Sequence, residues 1–248
     1  MAYFGRSLIS LRKLAAAGLL AWLSGSSGAA ASVSTLAEPE VHVHFTVFSA
    51  VPITGVGFQA KPDAPLTPVT FYSTARSPRY EYVGSNPLRF QSIVAPADGA
   101  ASDPRAMAEV TFASTMREAF LLFEPMMPAA KDGVRYRVYV LDDSAVRQAP
   151  GTLTLVNLSG LPLSGSAGKS FVNLRDTLVT AFTVGRSAPV ALKVPYGGRS
   201  YQAYAETIEL EPGERALLIL FPPFRPGSLE VQSRLLVDKP AEAELAKP

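Results

Sequence analysis

Apolar residues in this chain recur at every second position over short runs, and each run ends in residues that favour turns. Val41, Val43 and Phe45, for example, alternate with polar neighbours, which is the pattern of a strand with one buried face. Proline occurs 21 times in 248 residues, and each proline inside a helix removes a donor and clashes with the preceding turn. The chain is therefore predicted to be all-β.

The predicted strands are short and follow one another as far as residue 237, separated by turn sequences such as "KDG", "YGG" and "EPGE". They cover 41–47, 69–72, 80–83, 88–94, 108–113, 119–124, 134–141, 152–158, 170–174, 178–184, 190–194, 201–210, 216–221 and 229–237. The last ten residues contain "AEAELAK", which is short and has no apolar stripe, so 239–248 are predicted to be a flexible tail.

Residues 1–31 have the features of a signal for export. Arg6, Arg12 and Lys13 precede a ten-residue apolar run at 14–23, and small residues suited to cleavage follow it. Ten apolar residues are too few to span a bilayer, which takes about 20. We expect cleavage after Ala31, with Ala30 and an uncleaved anchor as alternatives. The protein is then exported to the periplasm or to the outside, with no stable membrane span.

Charge and cysteine content exclude several classes of protein. Residues 1–31 hold three basic and no acidic residues, so the remainder has 20 basic and 21 acidic residues and no long basic block. Nucleic-acid binding, which needs clustered cations on one face, is therefore not expected. The chain contains no cysteine, so it has neither disulfides nor a site for lipid attachment.

Two pairs of segments indicate an internal duplication. Residues 117–144 resemble 213–240, and residues 41–55 resemble 152–165, with the same order of strands, turns and prolines. In this alignment Asp142 matches Asp238, and Pro52 matches Pro162. A copied unit of about 100 residues with several short strands is typical of an immunoglobulin-like or a jelly-roll β-sandwich. The competing explanation is that β-proteins resemble one another in composition.

The predicted organisation is thus two tandem β-sandwich domains related by internal duplication. It comprises a signal peptide at 1–31, a first domain at 32–145, a second domain at 146–238 and a tail at 239–248. The segment 142–151 has no apolar period and reads as the linker. The alternative is one continuous sandwich in which the apolar strands at 119–123 and 216–221 pair across the halves, because nearly unbroken apolar runs suit strands covered on both faces.

The only two histidines of the chain, His42 and His44, lie two residues apart on the first predicted strand. Such side chains point the same way, about 6.5–7 Å apart, and can offer two imidazoles to Zn²⁺ or Cu²⁺. The duplication aligns them with Thr152 and Thr154, which suggests solvated positions. A third ligand such as Glu81 or Asp63 would have to come from elsewhere. We expect surface histidines, with no metal and no cofactor.

Residues 70–90 are rich in tyrosine and arginine. Tyr80 and Tyr82 share one strand face, and exposed aromatic rings can stack on sugars while Arg79 and Asn86 bind hydroxyl groups. The alternative is that both tyrosines pack against the partner sheet with their hydroxyls at the rim. The proline-rich connections carry Met126, Met127 and Phe224, which would form a contact surface or cover a sheet edge.

Motifs for catalysis are not matched. The segment "GSAGKS" at 165–170 lacks the first glycine of a phosphate-binding loop, where Leu163 stands, and it reads as a hairpin loop. "LPLSGSAG" does not fit the G-x-S-x-G of a serine hydrolase. Glycoside hydrolysis uses two carboxyl groups on either side of the scissile bond. Asp142 and Asp143 do not form such a pair, because adjacent residues face opposite sides of an extended chain. The protein is therefore not expected to be an enzyme, with an unrecognised hydrolase or metalloenzyme as the remaining alternative.

The stretches "RYEYVGSNPLRF", "FLLFEP" and "YRVYVLDDS" resemble those of small secreted bacterial proteins of unknown function. These proteins have a signal peptide and two consecutive β-sandwich halves. The resemblance covers most of the chain after the signal peptide but implies no activity and no functional residue. A fainter similarity of architecture is to periplasmic accessory proteins of polysaccharide acetylation.

We therefore expect a non-catalytic exported envelope protein that binds other proteins or acts as a scaffold. The alternative is a carbohydrate-binding module or an accessory protein of envelope polysaccharide modification. The expected partner is an envelope protein or a polysaccharide.

Overall fold

The computed structural model describes residues 40–93, 106–127, 134–175 and 179–240. The predicted signal peptide and residues 241–248 of the predicted tail lie outside this range. In the part of the chain that is described, every regular element is a β-strand, which confirms the all-β prediction. That part also contains no helix with the length and apolar character needed to cross a membrane.

The described residues form sixteen strands, eight in each half of the chain. The first half contains β1 (Glu40–Ser49), β2 (Val56–Gln59), β3 (Leu66–Pro68), β4 (Tyr80–Ser85), β5 (Leu88–Ser92), β6 (Ala106–Val110), β7 (Glu118–Pro125) and β8 (Tyr136–Asp142). The second half contains β9 (Thr152–Asn157), β10 (Leu163–Ala167), β11 (Ser170–Leu174), β12 (Val179–Thr183), β13 (Ser187–Tyr196), β14 (Arg199–Glu209), β15 (Arg215–Phe221) and β16 (Gln232–Asp238).

The two halves have the same topology. The first half forms sheets with the orders β4-β1-β7-β8 and β3-β2-β5-β6, and the second forms β12-β9-β15-β16 and β11-β10-β13-β14. Adding eight to each strand number of the first half reproduces the second. In both halves the first strand of the set runs parallel to the seventh, and the described pairs are otherwise antiparallel. This agreement supports the predicted duplication.

Each half has a hydrophobic core of its own, and a third core joins them. Phe45, Leu121 and Phe90 lie in the core of the first half, and Leu155 and Leu218 lie in that of the second. The third core draws on both halves: Phe48, Phe120, Leu122 and Leu141 pack with Val156, Leu158, Leu217, Ile219 and Leu236. The sheets containing β7 and β15 are therefore covered on both faces at their centres.

This arrangement explains the long apolar runs in β7 and β15. Their residues face alternately the core of their own half and the shared core, so both faces of each strand are apolar. β7 pairs with β1 and β8, while β15 pairs with β9 and β16, so the two runs do not pair with each other. They meet across the packed faces of two sheets.

The structure shifts the alignment of the two copies. Ala119 pairs with Asp142 and faces the core of its half, as Ala216 does opposite Val237, so Ala119 is equivalent to Ala216. Asp238 is consequently equivalent to Asp143, and the predicted match with Asp142 is wrong by one residue. A shift of one residue moves a side chain to the other face of a strand, so this register decides which face each residue of one copy shares with its equivalent in the other copy.

Two strands, β2 and β10, were not predicted from the sequence, and β3 lies a few residues before its predicted position. β2 and β10 contain Gly57 and Gly165 and have little apolar alternation, and β3 ends just before the predicted strand at 69–72. A Cβ atom on Gly165 would lie 1.9 Å from the carbonyl oxygen of Ala191, so only glycine fits between the neighbouring strands. The hairpin predicted at 165–170 turns at Gly168 and Lys169, with the residues before the turn in β10.

Candidate functional site

The two histidines lie on the outer face of the sheet that contains β1. Antiparallel pairing with β4 places Glu81 directly opposite His44, and His42 is one step along the same face. Nε2 of His42 lies 2.9 Å from Oε1 of Glu81, and the two imidazole ring centres are 5.4 Å apart. One ligand atom from each of the three residues lies within 4.8 Å of the others. Of the two residues suggested as a third ligand, Glu81 lies close enough to both histidines to share a metal ion with them. Asp63 does not belong to this cluster.

A second carboxylate supports the pair from the other side. The parallel pairing of β1 with β7 places Glu118 beside His44, with Oε1 of Glu118 3.5 Å from Nδ1 of His44. Arg79 donates to Glu118 and holds this carboxylate in place. The row Glu81, His44, Glu118 thus crosses three adjacent strands, and His42 adds a second imidazole at one end.

The outer face of β1 passes from solvent into the shared core. His42 is exposed, His44 and Thr46 are half-buried, and Phe48 is buried. By strand pairing, Thr152 is equivalent to His44 and Thr154 to Thr46, so the predicted match of His42 and His44 with Thr152 and Thr154 is wrong by two residues. The expectation that the threonines mark solvated positions is wrong, because both are buried where β8 and the 142–151 segment cover β9. The equivalent positions in the second half therefore give no information on the role of His42 and His44.

The predicted sugar-binding residues are distributed among structural roles. Tyr82 is buried, and its hydroxyl donates to the carbonyl oxygen of Ser85. Tyr80 packs on Phe45 at 5.5 Å between ring centres, and its hydroxyl accepts the amide of Thr70. Both rings thus face the core of the first half.

Asn86 and Arg79 are also engaged by neighbours. The side chain of Asn86 makes two hydrogen bonds to the backbone of Phe112, which tie the β4–β5 turn to the chain after β6. Arg79 is paired with Glu118 on the outer face. The four residues therefore do not converge on one exposed site.

A polar groove lies beside this segment, at the edge of the first half between β2, β4 and β5. It has a volume of about 400 Å³. Its polar lining includes Gln59, Lys61, Asp63, Ser85, Arg89 and Gln91. Amides and charged groups of this kind offer hydrogen bonds to hydroxyl-rich ligands. Of the residues predicted for sugar binding, only Tyr82 contributes to its wall.

Four charged residues form a buried network at the junction of the halves. Oδ2 of Asp143 accepts hydrogen bonds from Nη1 of Arg76 at 2.7 Å and from Nη2 of Arg215 at 3.1 Å. Nε of Arg215 donates to Oδ1 of Asp238 at 3.1 Å. The guanidinium of Arg76 also stacks on Phe120, with Cζ 4.8 Å from the ring centre. Each carboxylate of this network is thus engaged by a guanidinium.

The segment 142–151 is packed against this network. Nη1 of Arg215 donates to the carbonyl oxygens of Asp143 and Gln148, and Gln148 is buried. Asp142 is half-exposed while Asp143 is buried, as expected for adjacent residues on an extended chain. The segment predicted as a linker is thus an ordered connection.

No protein-family model matches this chain, and no curated protein matches it. Its function has to be argued from the geometry.

The hairpin of β13 and β14 carries exposed aromatic residues at its tip. Tyr196 and Tyr201 are 66% and 41% exposed, and their ring centres are 6.5 Å apart in an edge-to-face arrangement. Gly197 and Gly198 form the two-residue turn with φ of 57° and 74°, a conformation that favours glycine. Sequence reasoning identified the "YGG" turn but not the exposure of the rings, because that depends on how far the neighbouring sheet extends.

The pKa values of the buried Tyr204 and the half-buried Tyr139 are raised. Burial raises the pKa of Tyr204 well above its usual range, and the hydrogen bond to Glu206 adds to the effect. Burial also raises the pKa of Tyr139, whose hydroxyl donates to Glu124. Both hydroxyls therefore stay protonated and serve as hydrogen-bond donors to a neighbouring carboxylate.

Proposed function

We propose that this protein is a non-catalytic exported β-sandwich protein that binds another protein of the cell envelope through the tip of the β13–β14 hairpin. Export rests on residues 1–31, and the resemblance to small secreted bacterial proteins of unknown function points the same way. The observation that carries the proposal is the exposed pair Tyr196 and Tyr201.

The pair has the properties of an interface anchor. Tyrosine is enriched in protein interfaces, since it contributes a large contact area with few rotatable bonds and a hydroxyl that can bond a partner. The hairpin holds both rings on paired strands of ten and eleven residues, so little conformational freedom is lost on binding. Arg199, which closes the turn opposite Tyr196, adds a cation to the same tip.

The double variant Tyr196→Ser/Tyr201→Ser should lose its envelope partner. Removing two anchors of about 2 kcal/mol each, about 4 kcal/mol together, weakens binding by roughly 700-fold. The measurement is chemical cross-linking and affinity capture from the envelope fraction of producing cells, followed by a titration with the captured protein.

Phe224→Ser is the matched control, because Phe224 is 82% exposed in the loop between β15 and β16, outside the β13–β14 hairpin. It should bind the partner as the unaltered protein does. Repeated failure to capture any protein, or capture that the double variant retains, would refute the proposal. Loss of binding in the Phe224 variant alone would move the interface to the 222–227 loop.

The second candidate function is carbohydrate binding. Its site would be the polar groove between β2, β4 and β5, and not the two tyrosines suggested by the sequence. Gln91→Ala should weaken binding to a glycan about two- to tenfold, the effect of one hydrogen bond. Gln202→Ala, on an exposed position of β14, is the control and should have no effect. A glycan array without a signal for the unaltered protein would remove this candidate.

A further inference from the structure

The surface cluster of His42, His44 and Glu81 is independent of the hairpin tip and of the polar groove. Sequence reasoning set aside a metal site for two reasons: a third ligand was missing, and the equivalent threonines suggested ordinary solvated positions. The pairing of β1 with β4 supplies Glu81, and the burial of Thr152 and Thr154 removes the second reason.

We propose that His42, His44 and Glu81 bind one divalent transition-metal ion, with Zn²⁺ as the best match. Two imidazoles and one carboxylate are a ligand set that Zn²⁺ accepts at about 2.0–2.2 Å, with a fourth position open to water or to a group of a partner. Ligand atoms of such a site lie about 3.3 Å apart, as tetrahedral geometry at those bond lengths requires. The 2.9 Å separation of His42 Nε2 from Glu81 Oε1 is close to this value, and the 4.8 Å limit for the three atoms is within reach of side-chain rotation.

The neighbours of the cluster fit a metal site. A histidine ligand commonly donates its second ring nitrogen to a carboxylate, which fixes the ring and raises its basicity. Glu118 is placed to do this for His44, since its Oε1 lies 3.5 Å from Nδ1 of His44. Arg79 orients Glu118 in turn. Glu118 is therefore a positioning residue in this site.

The backbone supports the cluster with rigid elements. His42 and His44 are on β1, which pairs with strands on both sides, and their inward neighbours Val41, Val43 and Phe45 are buried. The outward side chains thus start from fixed Cα positions, and only their rotamers have to adjust. A plain surface ion pair of His42 with Glu81 is the competing explanation, and it predicts no saturable binding of Zn²⁺.

The test is a Zn²⁺ titration of the chain without signal peptide and without affinity tag, in competition with a chromophoric chelator. The unaltered protein should bind one Zn²⁺ per chain, and its melting temperature should rise with Zn²⁺. His42→Ala and Glu81→Gln should each weaken binding more than tenfold while keeping the metal-free melting temperature. Glu109→Gln, an exposed glutamate paired with Arg89 on another sheet, is the control and should bind as before.

Glu118→Gln tests the positioning role. It should weaken Zn²⁺ binding 10- to 100-fold and shift the visible absorption of bound Co²⁺, without changing the metal-free melting temperature. An unchanged affinity and spectrum would overturn that role. Absence of saturable binding, or equal binding by the unaltered protein and His42→Ala, would overturn the metal site itself.

Discussion

Leu218→Asp is expected to unfold the second half of the protein while the first half stays folded. Leu218 is fully buried at the centre of β15 and faces the core of the second half. A carboxylate there has no cation within its core and cannot reach water, so the cost should exceed about 4 kcal/mol. Hydrogen exchange measured by mass spectrometry should show loss of protection in β9 to β16.

Leu235→Asp is the matched control. Leu235 pairs with Leu218 across β15 and β16 but is 38% exposed, because β16 is the edge strand of its sheet. The same substitution there should cost about 1 kcal/mol or less and leave exchange protection intact. Loss of protection throughout both halves in Leu218→Asp would show that the chain is a single cooperative unit.

Separate expression of residues 32–145 and 148–248 extends this test. Each fragment retains a core of its own, so each should show a cooperative thermal transition. Each should also be less stable than in the full chain, because separation exposes the shared core formed by residues such as Phe120 and Ile219. If neither fragment shows a transition while the chain of residues 32–248 does, the prediction of two domains is wrong.

Arg215→Met should destabilise the protein by about 3 kcal/mol, the lower end of the cost of removing one partner of a buried ion pair, because Arg76 still bonds Asp143. Arg215 is buried and bonds Asp143, Asp238 and two backbone carbonyls of the connection between the halves. The substitution keeps a side chain of similar length, so the effect reports the lost charge and hydrogen bonds. Urea unfolding, followed by far-ultraviolet circular dichroism, measures it.

Arg89→Met is the control for this prediction. Arg89 pairs with Glu109 on the solvated face of the first half, with 62% of its side chain exposed, and such a pair is worth about 0.2–1 kcal/mol. A cost for Arg215→Met no larger than that of Arg89→Met would mean that the buried network does not stabilise the junction.

The histidine cluster shows where prediction from sequence succeeds and fails. Strand periodicity placed His42 and His44 on one face, and the structure agrees. Glu81 could be suggested but not assigned, because which strand lies beside β1 depends on pairing across 37 residues of chain. The expectation that Thr152 and Thr154 are solvated is wrong for a related reason. Whether another part of the chain covers a strand face cannot be read from the residues of that strand.

The tyrosines at 80 and 82 illustrate the same limit. Alternation correctly put both on one face of β4, but it carries no information on whether that face is covered. Phe58 of the facing sheet covers it, Phe45 packs beside Tyr80, and the two hydroxyls bond the backbone. Tyr196 and Tyr201 lie at a hairpin tip, and there the rings remain exposed.

What the sequence by itself determined is the set of local properties: an all-β chain, the approximate strands, the repeat, and the side of a strand on which each residue lies. These follow from alternation and turn residues, which act over a few positions. Only the tertiary structure decided that β7 and β15 share a core, that Arg76, Asp143, Arg215 and Asp238 meet at the junction, and that Glu81 joins the histidines. Those contacts depend on long-range pairing and on sheet packing, where one residue of register reverses the face of every side chain.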